Sequence, residues 1–208
     1  MATFPAPPSP SELAAVDAEP VAVTWDTLLW RVHSEDGPYA SRWGEMRHYG
    51  PVPTARFDHH LAPQRLQHRG VVYLGLAVQT CIAEVFQDSR AVDRAWRRPW
   101  LVGFRLTREV RLLDLTGTWP TTAGASQAIS SGRRDRAREW ARAIYEAYPD
   151  VEGLWYRSAM NGGEPAMALW ERAAAAVPVQ PEVHLPLDHP GLEVPLARIA
   201  GALCYRLL

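Results

Sequence analysis

"VVYLGLAVQTCIAEVFQDSR" (residues 71–90) reads as a buried strand that runs straight into a helix, and it carries one acid, Glu84, ahead of its polar exit. The strand half belongs to a continuous apolar run over 69–77, which suits a central strand of a sheet. From 79 to 90 the spacing turns helical, with Ile82, Val85 and Phe86 sharing one face. Glu84 then lies across the helix from the deepest burial, and it is predicted to face solvent or a cleft instead of the core.

Strands outnumber helices on either side of this unit. "VAVTWDTLLWRVH" (21–33) has the β-branched and aromatic content of one or two strands. Residues 37–60 form a long connection punctuated by Gly and Pro, and a loop of that length in a compact domain is usually functional. Residues 100–106 and 110–116 read as paired strands, and 118–132 reads as loop. The clearest helix runs over "RRDRAREWARAIYEAYP" (133–149), with Ala137, Trp140, Ile144 and Tyr148 on one stripe and Pro149 ending it. Its arginines, interleaved with Asp135 and Glu139, read as a solvated face. Segments 151–159 and 165–174 are strand-like around the turn "MNGGE", and "ARIAGALCYRLL" (197–208) closes the chain as a helix or a strand. Strands do not alternate regularly with helices, so the fold class is α+β and not a doubly wound sheet.

The 208 residues are enough for a sizeable core, and a split in two would leave each half small, so one domain is expected over 21–208. The Pro- and Ala-rich residues 1–20 are expected to form a flexible tail. At 47% hydrophobic and 22% charged the composition is that of a globular domain; its nine Trp are more than usual for this length, and some are expected to line a pocket or an interface. A net charge of −1 provides no field for a polyanion, so neither nucleic acid nor an anionic membrane is an expected direct partner. Cys81 and Cys204 form no CxxC pair, which points away from a disulfide framework or a thiolate metal site. With no signal peptide and no apolar run of about 18 residues, the chain is read as cytoplasmic.

Dinucleotide-fold, P-loop, zincin and nucleophile-elbow motifs are all missing from the sequence. His59 and His60 are adjacent and so point to different sides, a poor start for a metal site, and no metal is expected. Ser158 has no His and acid in a recognisable relation to it. Arg31, within the apolar strand "LLWRVH", needs an anionic partner or a cleft to offset its desolvation, unless it sits at a strand edge.

Arg31 in "LWRVH", Glu84 in "VVYLGLAVQTCIAEVF" and Ser158 in "GLWYRSAMNGGEPAMALWE" stand in the order and contexts of the RES domain family, named for its Arg, Glu and Ser. The resemblance spans residues 28–175. Its most specific part is Tyr73 followed by Ala83-Glu84, the Glu eleven residues on. Arg56-Phe57 resembles the family's Arg-aromatic element, although Ala55 and Asp58 replace its usual Gly and Asn. Arg157 stands where Pro is usual, and Trp170 where Phe is.

The resemblance implies an ADP-ribosyltransferase-like mixed sheet with flanking helices, and a toxin of a toxin–antitoxin pair that depletes NAD+. NAD+ would be a substrate, with no cofactor. The partner implied is a small DNA-binding, Xre-like antitoxin, and a homodimer is compatible with it. On this resemblance Glu84 would hold the ribose and stabilise the positive charge that develops as nicotinamide leaves. Arg31 and Arg56 would take the pyrophosphate. Tyr73 would stack on or hydrogen-bond to the nicotinamide end, and Ser158 would donate to the ribose or the amide. Asn161 in the turn after Ser158 is counted toward NAD+ with them. Glu84, Arg31 and Ser158 form the implied catalytic set. Water, phosphate or a protein side chain are alternative acceptors, giving a glycohydrolase, a phosphorylase or an ADP-ribosyltransferase. A RES-like binding module without catalysis is the rival from another class.

Overall fold

The computed structural model describes residues 4–37 and 40–208. Its strands are β1 (Pro20–Val23), β2 (Leu29–Ser34), β3 (Arg47–Gly50), β4 (Arg65–Gly75), β5 (Ala91–Val92), β6 (Pro99–Phe104), β7 (Val110–Asp114), β8 (Gly153–Arg157), β9 (Pro165–Trp170), β10 (Val183–Pro186) and β11 (Arg206–Leu207). The helices are α1 (Pro10–Leu13), α2 (Val78–Val85), α3 (Trp119–Thr122), α4 (Arg134–Ala147) and α5 (Glu193–Leu203).

The apolar run that continues into α2 is β4, and it sits at the centre of the sheet. It pairs antiparallel with β9 along five residues and reaches β2 through Trp30 opposite Gly75. The whole sheet runs β1-β7-β8-β9-β4-β2-β6-β10, with β3 added on β4, and β5 and β11 form a separate parallel pair. Among the described residues only β7 and β8 run parallel within the large sheet, so the sheet is mixed and the fold α+β.

Both faces of β4 are covered, which is why its sequence does not alternate. Val71 and Tyr73 face Leu154, Tyr156, Ala168 and Trp170 beneath α4, whereas Val72 and Leu74 face Phe104, Leu112, Met167 and Leu169 on the other side. The predicted α4 stripe is the buried one: Ala137, Trp140 and Ile144 are fully enclosed. In α2 the prediction fails at one position, because Val85 is 50% exposed while Cys81, Ile82 and Phe86 pack toward α5. That helix also stops at Val85 and not at residue 90. Beyond it the side chains of Gln87 and Ser89 bond main-chain carbonyls, offering the backbone an alternative to the helix, and Arg90 adopts φ 48°.

Three further expectations are corrected. Strands β6 and β7 are not partners: β6 lies between β2 and β10, and β7 between β1 and β8. At the corner between them the Thr107 N–H donates to Ala176 O at 2.8 Å. The segment 118–132 is not all loop, since it holds α3 and a 3-10 turn at Gln127–Ile129. Residues 4–20 are not a free tail, although residues 1–3 lie outside the described ones. Ser9 and Glu12 close a capping box on α1, Leu13 is fully buried, and the Tyr148 hydroxyl bonds Leu13 O at 2.7 Å and Val16 O at 2.9 Å. The Trp140 indole N–H donates to Pro5 O at 2.9 Å. Of the tryptophans, Trp119, Trp140 and Trp170 are core residues, and Trp25 and Trp96 are exposed.

Candidate functional site

Glu84 leaves the last turn of α2 beside the end of β8. There the Ser158 hydroxyl donates to Glu84 Oε1 at 2.6 Å. Ser158 is 1% exposed, and its oxygen in turn accepts the main-chain N–H of Met160 at 3.2 Å and of Asn161 at 3.1 Å. The loop that makes this possible is closed by Ser158 N–H to Glu164 O and Gly163 N–H to Ser158 O. Gly162 (φ 60°) and Gly163 (φ 83°) supply the left-handed backbone that the closure requires. A hydroxyl with its proton committed to a carboxylate and its lone pairs committed to two amides orients that carboxylate; it is not arranged as a nucleophile.

The same loop is tied to the start of α2. Asn161 accepts from Gln79 Nε2 at 2.8 Å and donates to Thr80 Oγ1 at 2.9 Å. Both ends of its amide thus make a bond inside the protein, which fastens the loop to α2. Gln79 and Thr80 were not singled out by sequence, because neither type nor spacing marks a polar residue that serves a loop far along the chain.

Tyr156 and Arg56 lie near enough to feel the charge of Glu84, and Tyr73 neighbours both of them. The register places Tyr73 across from Ala168 and Leu154, and Gly75 across from Ala166 and Tyr156, so both tyrosines rise from one face of the sheet over alanine neighbours. Burial, and then the charge of Glu84, push the Tyr156 hydroxyl well above its ordinary pKa. Burial also raises Tyr73, whose hydroxyl is enclosed without a hydrogen bond; the main chain of Phe57 lies nearby and does not complete one. Arg56 donates to Gly132 O at 2.5 Å and is held below its usual pKa by burial and then by Arg134, against the opposing charge of Glu84. Tyr156 went unnoticed in the sequence, since only the strand register reveals that it shares a face with Tyr73.

Arg31 does not join this cluster. One of its terminal nitrogens donates to the carbonyls of Arg42, Trp43 and Glu45 at 3.2, 2.5 and 3.1 Å, and the other to Ser41 Oγ at 3.3 Å. Desolvation pulls its pKa to about 10. The guanidinium thus fastens residues 41–45 onto β2. Main-chain oxygens, the Ser41 hydroxyl and the charge of Glu45 offset its burial, so Arg31 needs no pyrophosphate to account for its place in the strand.

The segment after Arg56 is locked by buried polar groups. Phe57 packs on Tyr156 with ring centroids 4.6 Å apart. Asp58 accepts from Arg47 at 2.9 Å, from Val52 N–H at 2.6 Å, from His60 N–H at 3.2 Å and from the His60 ring. Burial alone would raise this carboxyl, but the His60 and Arg47 contacts and the Val52 amide outweigh it and hold Asp58 well below the carboxylate range. His59 meets Glu171 at 3.2 Å, and Glu171 also takes the Tyr145 hydroxyl at 2.5 Å and Gly70 N–H at 2.8 Å. The Asp58 that departs from the family's usual Asn is thus the centre of a clamp. His59 and His60 are committed to carboxylates within it.

No curated protein sequence matches the chain significantly. Among solved structures, a chain of the crystal structure of the M. tuberculosis MbcT–MbcA toxin–antitoxin complex is similar at a TM-score of 0.57 and 16% identity, covering 91% of this chain and 96% of that one. Among the described residues no helix is long and apolar enough to cross a membrane. The RES domain family profile matches residues 28–188, a stretch that holds β2, β4, α2 and the Ser158 loop, and on this match the chain belongs to the RES domain family.

Proposed function

We propose that the chain cleaves the bond between nicotinamide and ribose of NAD+ as the toxin of a toxin–antitoxin pair. The observation that carries the reading is the Ser158–Glu84 contact, which holds a carboxylate in one orientation near Tyr156 and Arg56. Cleavage passes through an oxocarbenium-like state, and nicotinamide leaves as a neutral molecule, so the site needs a fixed negative charge more than a strong acid. Glu84 supplies that charge. Ser158 keeps its second oxygen free to meet the ribose hydroxyls by holding the first.

Tyr73 serves the nicotinamide end. Its hydroxyl is enclosed while the residue as a whole is only half-buried, which favours stacking over hydrogen bonding. The acceptor is water or phosphate in this reading, with a protein side chain as the alternative. The toxin would act in the cytoplasm and be silenced by a small DNA-binding antitoxin of the Xre-like kind. The similar fold found in a toxin–antitoxin complex supports that partner.

Incubation of the purified chain with NAD+ should release nicotinamide, followed by chromatography. Glu84→Gln, which removes the charge at nearly constant shape, should lower the rate by about 10²–10³-fold. Equal turnover by the variant would overturn the role of Glu84, and no release by the native chain would overturn the reaction.

A further inference from the structure

Two guanidinium groups beside Glu84 lack a carboxylate partner. Arg134, at the first turn of α4, donates from Nη2 to Gln87 Oε1 at 2.7 Å, and Gln87 Nε2 donates to the carbonyl of Glu84 itself at 2.7 Å. Arg56 donates to the carbonyl of Gly132, two residues before Arg134. Each group is thereby anchored by one nitrogen, and among the described residues neither forms an ion pair. The neighbours of Arg134 behave differently: Arg133 pairs with Asp135, and Arg136 with Glu139 at 2.5 Å. Two cations have been brought close on the rim of one site while the nearby acids are spent elsewhere. Burial, and after it the charge of Arg134, lowers the pKa of the part-buried Arg56, while Glu84 opposes the shift.

We propose that Arg56 and Arg134 together form the anion-binding arm of the site and grip the diphosphate of a nucleotide substrate. A guanidinium carries five N–H donors in a planar fork, so a single anchoring bond leaves most of them for phosphate oxygens. A doubly charged group between two such forks relieves their repulsion and makes charge-assisted bonds to both. Arg31, whose terminal nitrogens are used on residues 41–45, is replaced in this task by a residue that sequence analysis had assigned to the solvated face of α4. The tether through Gln87 links the start of α4 to the last turn of α2, and so fixes Arg134 relative to Glu84. The inference rests on the nucleotide reading of the site and names which part of the nucleotide is held where.

Calorimetric titration with ADP tests the arm without requiring catalysis. The full chain should bind ADP, and Arg134→Ala and Arg56→Ala should each weaken binding by about tenfold or more, with affinity falling as salt rises. Arg134→Lys, which keeps the charge and the helix start but loses the fork, should lie between; Arg111→Ala, on an exposed strand position, should bind as the native chain does. A native chain that fails to bind ADP, or an Arg134→Ala variant that binds it normally, overturns the arm. The nicotinamide assay separates this outcome from the reaction itself. Binding of ADP through Arg134 with no nicotinamide released keeps the arm and overturns NAD+ cleavage, whereas release with an unchanged KM in Arg134→Ala overturns the arm and keeps the cleavage.

Discussion

Ser158 and Glu84, 74 residues apart in sequence, are joined by one hydrogen bond of 2.6 Å between the end of β8 and the end of α2. Because the serine proton is committed to the carboxylate and its oxygen to two amides, Ser158→Ala is expected to loosen Glu84 without removing it. Steady-state kinetics should show kcat lowered by about a hundredfold, short of the loss in Glu84→Gln. The orphaned amides of Met160 and Asn161 should cost about 1–3 kcal/mol in urea unfolding. Complete loss of turnover, together with a covalent intermediate trapped on the native Ser158, would refute the orienting role.

Asp58 anchors the turn that follows Arg56, accepting from Arg47, Val52 and His60 while fully buried. Asp58→Ala leaves Arg47 and the His60 ring without their acceptor, and a loss of about 3 kcal/mol is expected. Asp58→Asn keeps one acceptor oxygen and should lose less. A change below about 0.5 kcal/mol in the alanine variant would show that the clamp is not structural.

Stability should fall on acidification in two stages. Burial, then the charge of Arg31, lowers His33 to about 4, against roughly 6.5 for an unperturbed histidine. Between these values the unfolded chain binds the proton and the folded chain does not, so stability declines as pH drops from about 6.5 toward 4, by on the order of 2–3 kcal/mol. Glu171 behaves as a depressed carboxylate. Burial opposes its ionisation, but the bonds from His59, Gly70 and Tyr145 bring its pKa to about 2. Its contribution is present above roughly 4.3 and is lost as pH falls toward 2. Denaturant midpoints measured across pH should show both stages, and His33→Gln should flatten the first; an unaltered first stage in that variant would exclude His33 as its source.

Leu13 is fully buried in the same core cluster as Trp119, Trp140 and Ala141, although the residues around it are rich in Pro and Ala. Truncation to Ala should therefore behave as a core change and cost about 3 kcal/mol. Thermal melts of Leu13→Ala that match the native chain would mean that the leader does not contribute to the folded core.

The β4–α2 unit, the α4 stripe and the strands at 153–157 and 165–170 were legible because burial on a strand or helix repeats with a local period. The same periodicity turned Glu84 away from the core, and the order of Arg31, Glu84 and Ser158 pointed to the family. Periodicity does not encode which strand lies beside which. Two adjacent strands separated by a short turn usually form a hairpin, yet β6 is taken by β2 and β10 and β7 by β1 and β8, while Thr107 at the corner bonds Ala175 and Ala176. The leader was misjudged because its composition lacks large apolar groups, while one leucine and a tyrosine hydroxyl reaching back from residue 148 suffice to dock it.

The candidate site divides in the same way. Sequence by itself determined that the carboxylate at residue 84 stands on a helix face turned from the core, and Tyr73 joined it only through the family resemblance. Only the tertiary structure decided what each charge is used for. It spends Arg31 on the carbonyls of residues 41–45, gives Ser158 to Glu84, closes Asn161 against α2 and brings Arg134 to Gln87. The physical reason is that a local pattern reports how deeply a side chain is buried. The partner that satisfies a buried polar group comes from a distant segment, and its identity is fixed only when the strands find their register.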